Sequence, residues 1–488
     1  MRVEVNRLPI RINPDPKRVI ARYFYNGDER ATEVIRNVMK LNDQEVYDLI
    51  IPLLQEFSKR HRNITKIFAK NCKKLMGLFE KMSLDYSDLN DNRKYLIGSY
   101  FTNEYSIESA AFFNPSVVED PNQQYLIQGE KRLILSFRAV GEGHISSIVF
   151  RRAVIDANCN INILPVSNYV SEAEIIKNEI YNKRLFLKKA SEANIDLKII
   201  AGLNDKLDDK FDYAQLRRIL LDLKNSTNDN AEHLECDKIL WLSDTYHEMS
   251  FSKDTDLSDR VIFPISEFER KGIEDARFVR FIKDDGSVIY YATYTAFDGD
   301  TIMPKLMQTK DFYNFKVSPL HGKGAQNKNL ALFPRKINGK YAMMSRIDGW
   351  NNYLMYSDRL TVWDDPIKLQ APLHAWEFIQ IGNCGSPIET DQGWLIITHG
   401  VGPMRRYCLG ASLLDINDPS KEIGRLSEPL LVPNMDEREG YVPNVLYSCG
   451  SIIHHGNLII PYGLSDYCSS FAIVPLNNLL DKILKDQD

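Results

Sequence analysis

The chain of 488 residues has 44% apolar, 26% charged and 10% aromatic side chains, enough to bury a large core and far from disordered or collagen-like compositions. Its 61 basic and 66 acidic residues leave a formal charge of -5, without the basic excess that a phosphate backbone demands, so nucleic acid is not an expected partner. No apolar run approaches the roughly 20 residues that span a bilayer, and the opening MRVEVNRLPIRINPDPKR lacks the apolar segment of a secretory signal, which predicts a cytoplasmic protein with no membrane partner.

In chain order, the first expected element is helical, from Asp28 to about Met82. Val46, Leu49, Ile50, Leu53, Leu54 and Phe57 recur at helical spacing around an expected kink at Pro52, and Ile64, Ile67, Phe68, Leu75, Leu78 and Phe79 continue the stripe. Residues 1–95 are thus read as an N-terminal segment and helical region, and 96–488 as the main domain. A second helical stretch, from about Ser171 to Lys224, is broken by a turn-prone region from Gly202 to Lys210 and reads as an insertion at about 160–235. Both stretches are charged on their other faces, so their apolar stripes are expected to pack on the main domain or to join subunits into a homo-oligomer.

The rest reads as strands, and it repeats. GEKRLILSFRAVG at 129–141, DDGSVIYYATYTAFDG at 284–299, NGKYAMMSRIDG at 338–349, DQGWLIITHGVG at 391–402 and HGNLIIPYGLSD at 455–466 share one layout of turn, apolar strand and polar end. Each follows a partner strand that opens on polar groups: Asn114-Pro115, Glu274-Asp275, Lys328-Asn329, Asn383-Cys384-Gly385 and Ser448-Cys449-Gly450. The last four units recur at roughly 50 to 65 residues, the period of a four-stranded propeller blade. A mainly β fold follows, expected as a five-bladed β-propeller, with a β-sandwich or two separate β domains as alternatives. The seven cysteines are scattered and never spaced as CxxC, which speaks for buried free thiols rather than a disulfide scaffold or zinc knuckle.

In a propeller the strand starts would converge, gathering Asn114, Glu274, Asp275, Lys328, Asn329 and Asn383, with Arg138, Asp298, Arg346, His399 and Asp466 delivered by the second strands. Amides, carboxylates and guanidinium groups in that mixture suit a polyol or sugar, and Tyr294, Trp350, Trp376 and Tyr441 are candidate platforms for sugar faces. Gly272-Ile273-Glu274-Asp275-Ala276-Arg277 is the strongest motif. Alternation along a strand predicts that only one of its two carboxylates faces the site, and Asp275 is the expected proton donor with Glu274 as a sugar ligand or alternative acid. No metal and no organic cofactor is expected: HGKG at 321–324 is not a phosphate loop, no GxGxxG opens a helix, His247-Glu248 lacks the second histidine of HExxH, and His454-His455 would point to opposite sides of a strand. No Gly-x-Ser-x-Gly elbow offers a serine nucleophile.

Over roughly residues 105–475, without the insertion, the chain resembles glycoside hydrolase family 130, the β-mannoside phosphorylases and β-1,2-mannosidases. The resemblance rests on FNPSVVED, LSFRAVGEGHIS, GIEDARFVRF, YYATYTAFDG, NKNLALFPRKINGKYAMMSR, GWLIITHGVG, YCLGASLLDINDP and EREGYVPNVLYSCG in that order. It implies a five-bladed propeller cleaving β-mannosidic bonds of a mannoside oligosaccharide. Asp275 would be the general acid, acting through a hydroxyl of the non-reducing sugar, and Asn114, Arg138 and Glu274 would hold sugar hydroxyls. It also implies a basic cluster for inorganic phosphate, the co-substrate of the phosphorylases, with Lys328, His399 and Arg346 at the matching positions. After YTAFDG, where such phosphorylases often carry an arginine, this chain reads DTIMPKLMQT with Met303 or Pro304 at that place, and Ala276 stands for the usual proline. Arg405 and Arg406 are the nearby basic residues that would restore the charge. Phosphate needs positive charge and no protein base, whereas an inverting hydrolase needs a second carboxylate roughly 6.5–9.5 Å from the acid. Candidates for that base are Asp298, Asp348, Glu377, Glu437 and Glu439. An inverting phosphorylase releasing mannose 1-phosphate is the expected activity, with an inverting β-mannosidase or a non-catalytic sugar-binding protein as alternatives.

Overall fold

The computed structural model of the chain describes residues 3–177, 180–227 and 229–486. The fold is mainly β. Five antiparallel meanders follow one another, each joined by short turns that suit the polar and glycine residues seen in the repeats. The first comprises Ala111–Glu119, Lys131–Val140, Ser146–Ile155 and Ile161–Ile163, and the second Gly272–Ile282, Val288–Phe297, Ile302–Thr309 and Asn314–Pro319. The third runs Ala331–Leu332, Tyr341–Ser345, Asn352–Ser357 and Pro366–Gln370. Gln380–Asn383, Gly393–Val401, Tyr407–Leu414 and Glu422–Arg425 form the fourth. The fifth takes Leu446–Tyr447, Asn457–Leu464 and Cys468–Pro475, and its outer strand is Asn6–Arg7 from the other end of the chain, in register Asn6 to Ile473.

Apolar side chains between successive sheets hold the meanders together. Phe150 of the first packs within about 6 Å, ring to ring, of Phe278, Phe312 and Phe315 of the second. Trp394 of the fourth meets Phe333 of the third edge-on at 5.1 Å. The seven cysteines are buried and free.

The expected N-terminal helical region comprises α1 (Asp28–Lys40), α2 (Asp43–Phe57), α3 (Ile64–Lys73), α4 (Met76–Lys81) and α5 (Asp91–Tyr100). Helix α2 starts at a capping box of Asn42 with Glu45 and continues through Pro52. Val46 and Ile50 face the small core shared by these helices, but Leu49, expected on the same stripe, is exposed.

The second helical stretch needs correction. The described residues among 171–182 are not helical: Ser171–Glu172, Glu174–Lys177 and Tyr181–Asn182 are strands, and the part of the expected helix at 178–179 lies outside the described residues. EIIK became a strand because it finds an edge: Glu174–Lys177 pairs with His247–Ser250, which itself extends the second meander. The helices begin at Lys183, as α6 (Lys183–Glu192), α7 (Leu197–Lys206), α8 (Tyr213–Asn225) and α9 (Asn230–Ser243). Their apolar stripes share a core with Phe268, Ala296 and Met303 of the second meander and its approach. Among the described residues no helix is long and apolar enough to cross a membrane.

Candidate active site

The polar residues expected at strand starts do meet, but mostly through irregular backbone rather than strand ends. Asn114 lies inside the first strand of meander one, where the register slips between Phe113 and Ser116, and Asp275 sits at the equivalent slip between Glu274 and Arg277. Both adopt positive φ, 51° and 54°. These are β-bulges with a left-handed residue, a conformation that Asn and Asp tolerate better than other side chains with a Cβ. Alternation therefore fails at Asp275. Glu274 and Asp275 do not point to opposite faces but flank the same guanidinium: Arg138 Nη2 donates to Glu274 Oε1 at 2.7 Å, and its Nη1 lies 4.0 Å from Asp275 Oδ1.

Around these carboxylates the contacts are short. Asn114 Nδ2 donates to Asp275 Oδ1 at 2.8 Å, and Lys328 Nζ donates to Glu274 Oε2 at 2.6 Å. Burial opposes the charge on Glu274, but Arg138 and Lys328 outweigh it and hold its carboxyl below the usual range. Asp466, at φ 51°, feels the same groups with the opposite result. Desolvation, then the charges of Asp275 and Glu274, push its carboxyl up to about 6 against the pull of Arg138 and Lys328.

That shift fixes a sign. Between pH 3.8 and about 6 the folded protein holds a proton on Asp466 that the unfolded chain has released, so stability falls as pH rises through this window and the deficit persists above it. Asp466→Asn is expected to stabilise the protein at pH 7.5 relative to wild type by of order 1–3 kcal/mol, with little gain at pH 4. Melting temperatures of both proteins at the two pH values test this; equal gains at both would contradict it.

Beside this group lies a second network built on Arg277 and Tyr447. Arg277 Nη2 donates to Tyr447 Oη at 2.6 Å, and its Nη1 reaches the backbone and side-chain oxygens of Asn383, both at 3.1 Å. Asn329, at φ 70°, donates from Nδ2 to Asn383 O at 2.9 Å and to Tyr447 Oη at 3.0 Å, and Asn383 Nδ2 returns a bond to Asn329 O at 2.6 Å. Arg277 and Tyr447 were not among the expected site residues. Arg277 stood in the GIEDAR motif, while Tyr447 was hidden because the fifth unit was read from Ser448 and its first strand is Leu446–Tyr447.

Arg346 and His399 close the cluster. Arg346 Nη1 lies 3.3 Å from His399 Nε2, and His399 Nδ1 faces Cys384 Sγ at 3.7 Å. Burial, with Arg346 and Arg277 nearby, holds the imidazole well below its ordinary value, so His399 is neutral at pH 7. It reaches this place because residue 382 is glycine: a Cβ there would fall 2.3 Å from His399 Cε1. Three buried polar atoms here, Asn114 Oδ1, Arg138 Nε and Arg346 Nε, have no hydrogen-bond partner among the described residues, as expected where a polar ligand completes the set.

Asp298 stands apart. Its carboxylate caps the turn to Asp300 and Thr301 and makes no bond to the cluster among the described residues. Three of the other four candidate bases are likewise engaged elsewhere, and the fourth is exposed. Asp348 caps Trp350 and Asn351, buried Glu377 pairs with Arg425 at 3.0 Å, Glu437 accepts from Tyr462 Oη at 2.8 Å, and Glu439 is exposed. Two of the aromatic platforms are packing residues: Tyr294 is buried with its hydroxyl on Glu269, and Trp376 lies against Gly400 and Gly410. Trp350 and Tyr441 are exposed. Met303 is buried in the insertion's core, and Lys305, two residues on, donates to Glu269 at 2.7 Å. Among the described residues no group of three His, Cys, Asp or Glu side chains could hold a metal ion.

A family profile described as β-1,4-mannooligosaccharide phosphorylase, of glycoside hydrolase family 130, matches residues 231–485. The 1,2-β-oligomannan phosphorylase of Thermoanaerobacter sp. (strain X514) is 38% identical over 226 residues, which cover 44% of this chain and 72% of that protein. The chain belongs to glycoside hydrolase family 130. Family 130 membership makes it a glycoside phosphorylase or glycoside hydrolase. The β-1,2-mannobiose phosphorylase of the same Thermoanaerobacter strain is 36% identical over 221 residues, 42% of this chain and 68% of that one. The solved family 130 structure of the Listeria innocua β-1,2-mannobiose phosphorylase with β-1,2-mannobiose superimposes with a TM-score of 0.46 at 23% identity, covering 78% of this chain and 93% of that one.

Proposed function

We propose that the protein cleaves β-mannosidic bonds of mannoside oligosaccharides by inverting phosphorolysis. The observation that carries this is the charge of the cluster: Arg138 and Lys328 bond Glu274, Arg277 and Arg346 lie within the field of Asp275, and Asp466 completes the carboxylates, while of the candidate bases that hydrolysis would need Asp298, Asp348, Glu377 and Glu437 are engaged elsewhere and Glu439 is exposed. The names of the related phosphorylases point the same way. Hydrolysis and sugar binding without catalysis are the less favoured readings.

In this reaction a phosphate oxygen attacks the anomeric carbon as the bond to the glycosidic oxygen breaks. Asp275 supplies the proton that the leaving oxygen takes up, through a hydroxyl of the non-reducing mannose, and mannose 1-phosphate departs with inverted configuration. Asn114, Arg138, Glu274 and Asp466 hold sugar hydroxyls. Lys328 and Arg346 receive the phosphate: the ammonium uses one of its three donors on Glu274, and Arg346 has its Nε unpaired. Neutral His399 orients Arg346 rather than adding charge, and Asn329 and Asn383 brace the loop beside them. Phosphate is the co-substrate, and the reaction calls on no other cofactor.

The five meanders are, on this proposal, the blades of a five-bladed β-propeller formed by residues 96–488, preceded by the helical region of 1–95. The support is that the first strands or their approaches in all five contribute to one cluster, through Asn114, Asp275, Asn329, Asn383 and Tyr447. Exposed Tyr47, Leu49, Met76 and Tyr100 on the helical region suit a homo-oligomer contact, and a cytoplasmic location fits the use of phosphate. Following mannose 1-phosphate and free mannose separately, on β-mannosides with and without phosphate, tests the function.

A further inference from the structure

The insertion touches the site through one loop. Helix α6 lays its last turn against residues 320–324, which leave the second meander and run on to Lys328 and Asn329. Lys189 Nζ, buried, donates to Leu320 O at 2.7 Å and to Glu192 Oε2 at 3.1 Å, and Gly322 N donates to Glu192 Oε1 at 2.8 Å. Glu192 thus spends one oxygen on its helix's own lysine and the other on the loop. Lys188 pairs with Asp364 at 2.8 Å, on the far side of the same loop, and Tyr246 Oη of the insertion lies 3.2 Å from His321 Nε2. The loop has little freedom to take another path. Gly322 sits at φ 107°, where a Cβ would fall 2.2 Å from Trp363 O, Gly324 N donates to that same carbonyl at 2.9 Å, and Ala325 and Leu330 are buried beside Trp363.

The insertion's core also takes in Met303, which with Pro304 is one of the two places where the family resemblance would put an arginine. Lys328, one of the two cations assigned to the phosphate, follows directly on the loop that the insertion holds. We infer that Glu192 and Lys189 are positioning residues for Lys328, so that the helical insertion sets the geometry of the anion subsite. The inference rests on the assignment of Lys328 to phosphate.

The test compares Glu192→Ala, Glu192→Gln, Lys328→Ala and the Glu192→Ala/Lys328→Ala double variant, measuring kcat, KM for phosphate and for the mannoside, and hydrogen exchange over 320–330. Loss of the carboxylate strands a buried N–H and frees the loop, so Glu192→Ala is expected to raise KM for phosphate about tenfold, with KM for the mannoside within about twofold. Exchange over 320–330 should quicken, Glu192→Gln should recover most of the loss, and Glu192→Ala should add nothing to KM for phosphate once Lys328 is absent. Lys189→Met gives the same readouts should Glu192→Ala fail to fold. Equal rises in both KM values, unchanged exchange over 320–330, or a full tenfold effect in the Lys328→Ala background would overturn the inference alone. An unchanged KM for phosphate in Lys328→Ala itself overturns the phosphate assignment and the inference with it.

Discussion

Asp275→Asn is expected to lower kcat on an unactivated β-mannoside by about 10²–10⁴-fold or more, the span of general acid catalysis, while the melting temperature stays within a few degrees of wild type. The substitution removes a proton and a charge but no volume. Asparagine tolerates the left-handed backbone at φ 54° as well as aspartate does, so the bulge between Glu274 and Arg277 should survive. Arg138 keeps its bond to Glu274, and an amide oxygen can still accept from Asn114. Sugar affinity should therefore persist, which equilibrium binding of the mannoside to the variant would register. Turnover within tenfold of wild type on the same substrate would remove Asp275 from the proton transfer.

Lys328→Met is expected to raise KM for phosphate about 10- to 100-fold, with a much smaller effect on KM for the mannoside. The lost contact is a charge-assisted bond to a dianion, of the order of 1.5–3 kcal/mol. Glu274 retains Arg138 on its other oxygen, and the Lys328 side chain is about one-third exposed, so water can replace the missing donor on Oε2. The split between the two constants is the informative readout: equal rises in both would place Lys328 on the sugar instead.

How much of this could be read from the sequence depended on which physical effect governed each element. The meanders were legible because an apolar run bounded by turn residues, repeated along the chain, is a local signal, and the turns at Gly286, Gly339 and Gly456 sit where positive φ was needed. The outer strand Asn6–Arg7 was not, since two residues carry no pattern and only the pairing with Pro475's strand makes them a strand. EIIK at 174–177 has an apolar pair flanked by charges that fits either period, and the edge offered by His247–Ser250 decided it. At the site, places at the strand starts and ends of the repeated units were enough to gather Asn114, Arg138, Glu274, Asp275, Lys328, Asn329, Asn383, Arg346, His399 and Asp466. What failed was the strand rule that separates neighbouring side chains, because bulges at Asn114 and Asp275 turn the backbone at the point where the carboxylates matter. Asp298 was misplaced for the complementary reason. An aspartate after a strand and before Gly299 is as suited to capping a turn as to binding a sugar, and here it caps the turn. The charge state of His399 lay beyond sequence reading altogether, since it depends on burial beside two guanidinium groups from distant strands.

The most direct measurement of the central claim is product analysis on β-linked mannobiose and longer mannosides, with purified full-length protein, in buffer with and without inorganic phosphate. Phosphorolysis predicts mannose 1-phosphate in amounts that match the shortened acceptor, a rate that rises with phosphate to saturation, and almost no free mannose when phosphate is left out. Release of free mannose at the same rate in phosphate-free buffer, with no mannose 1-phosphate when phosphate is present, would contradict the account and assign the cluster to hydrolysis.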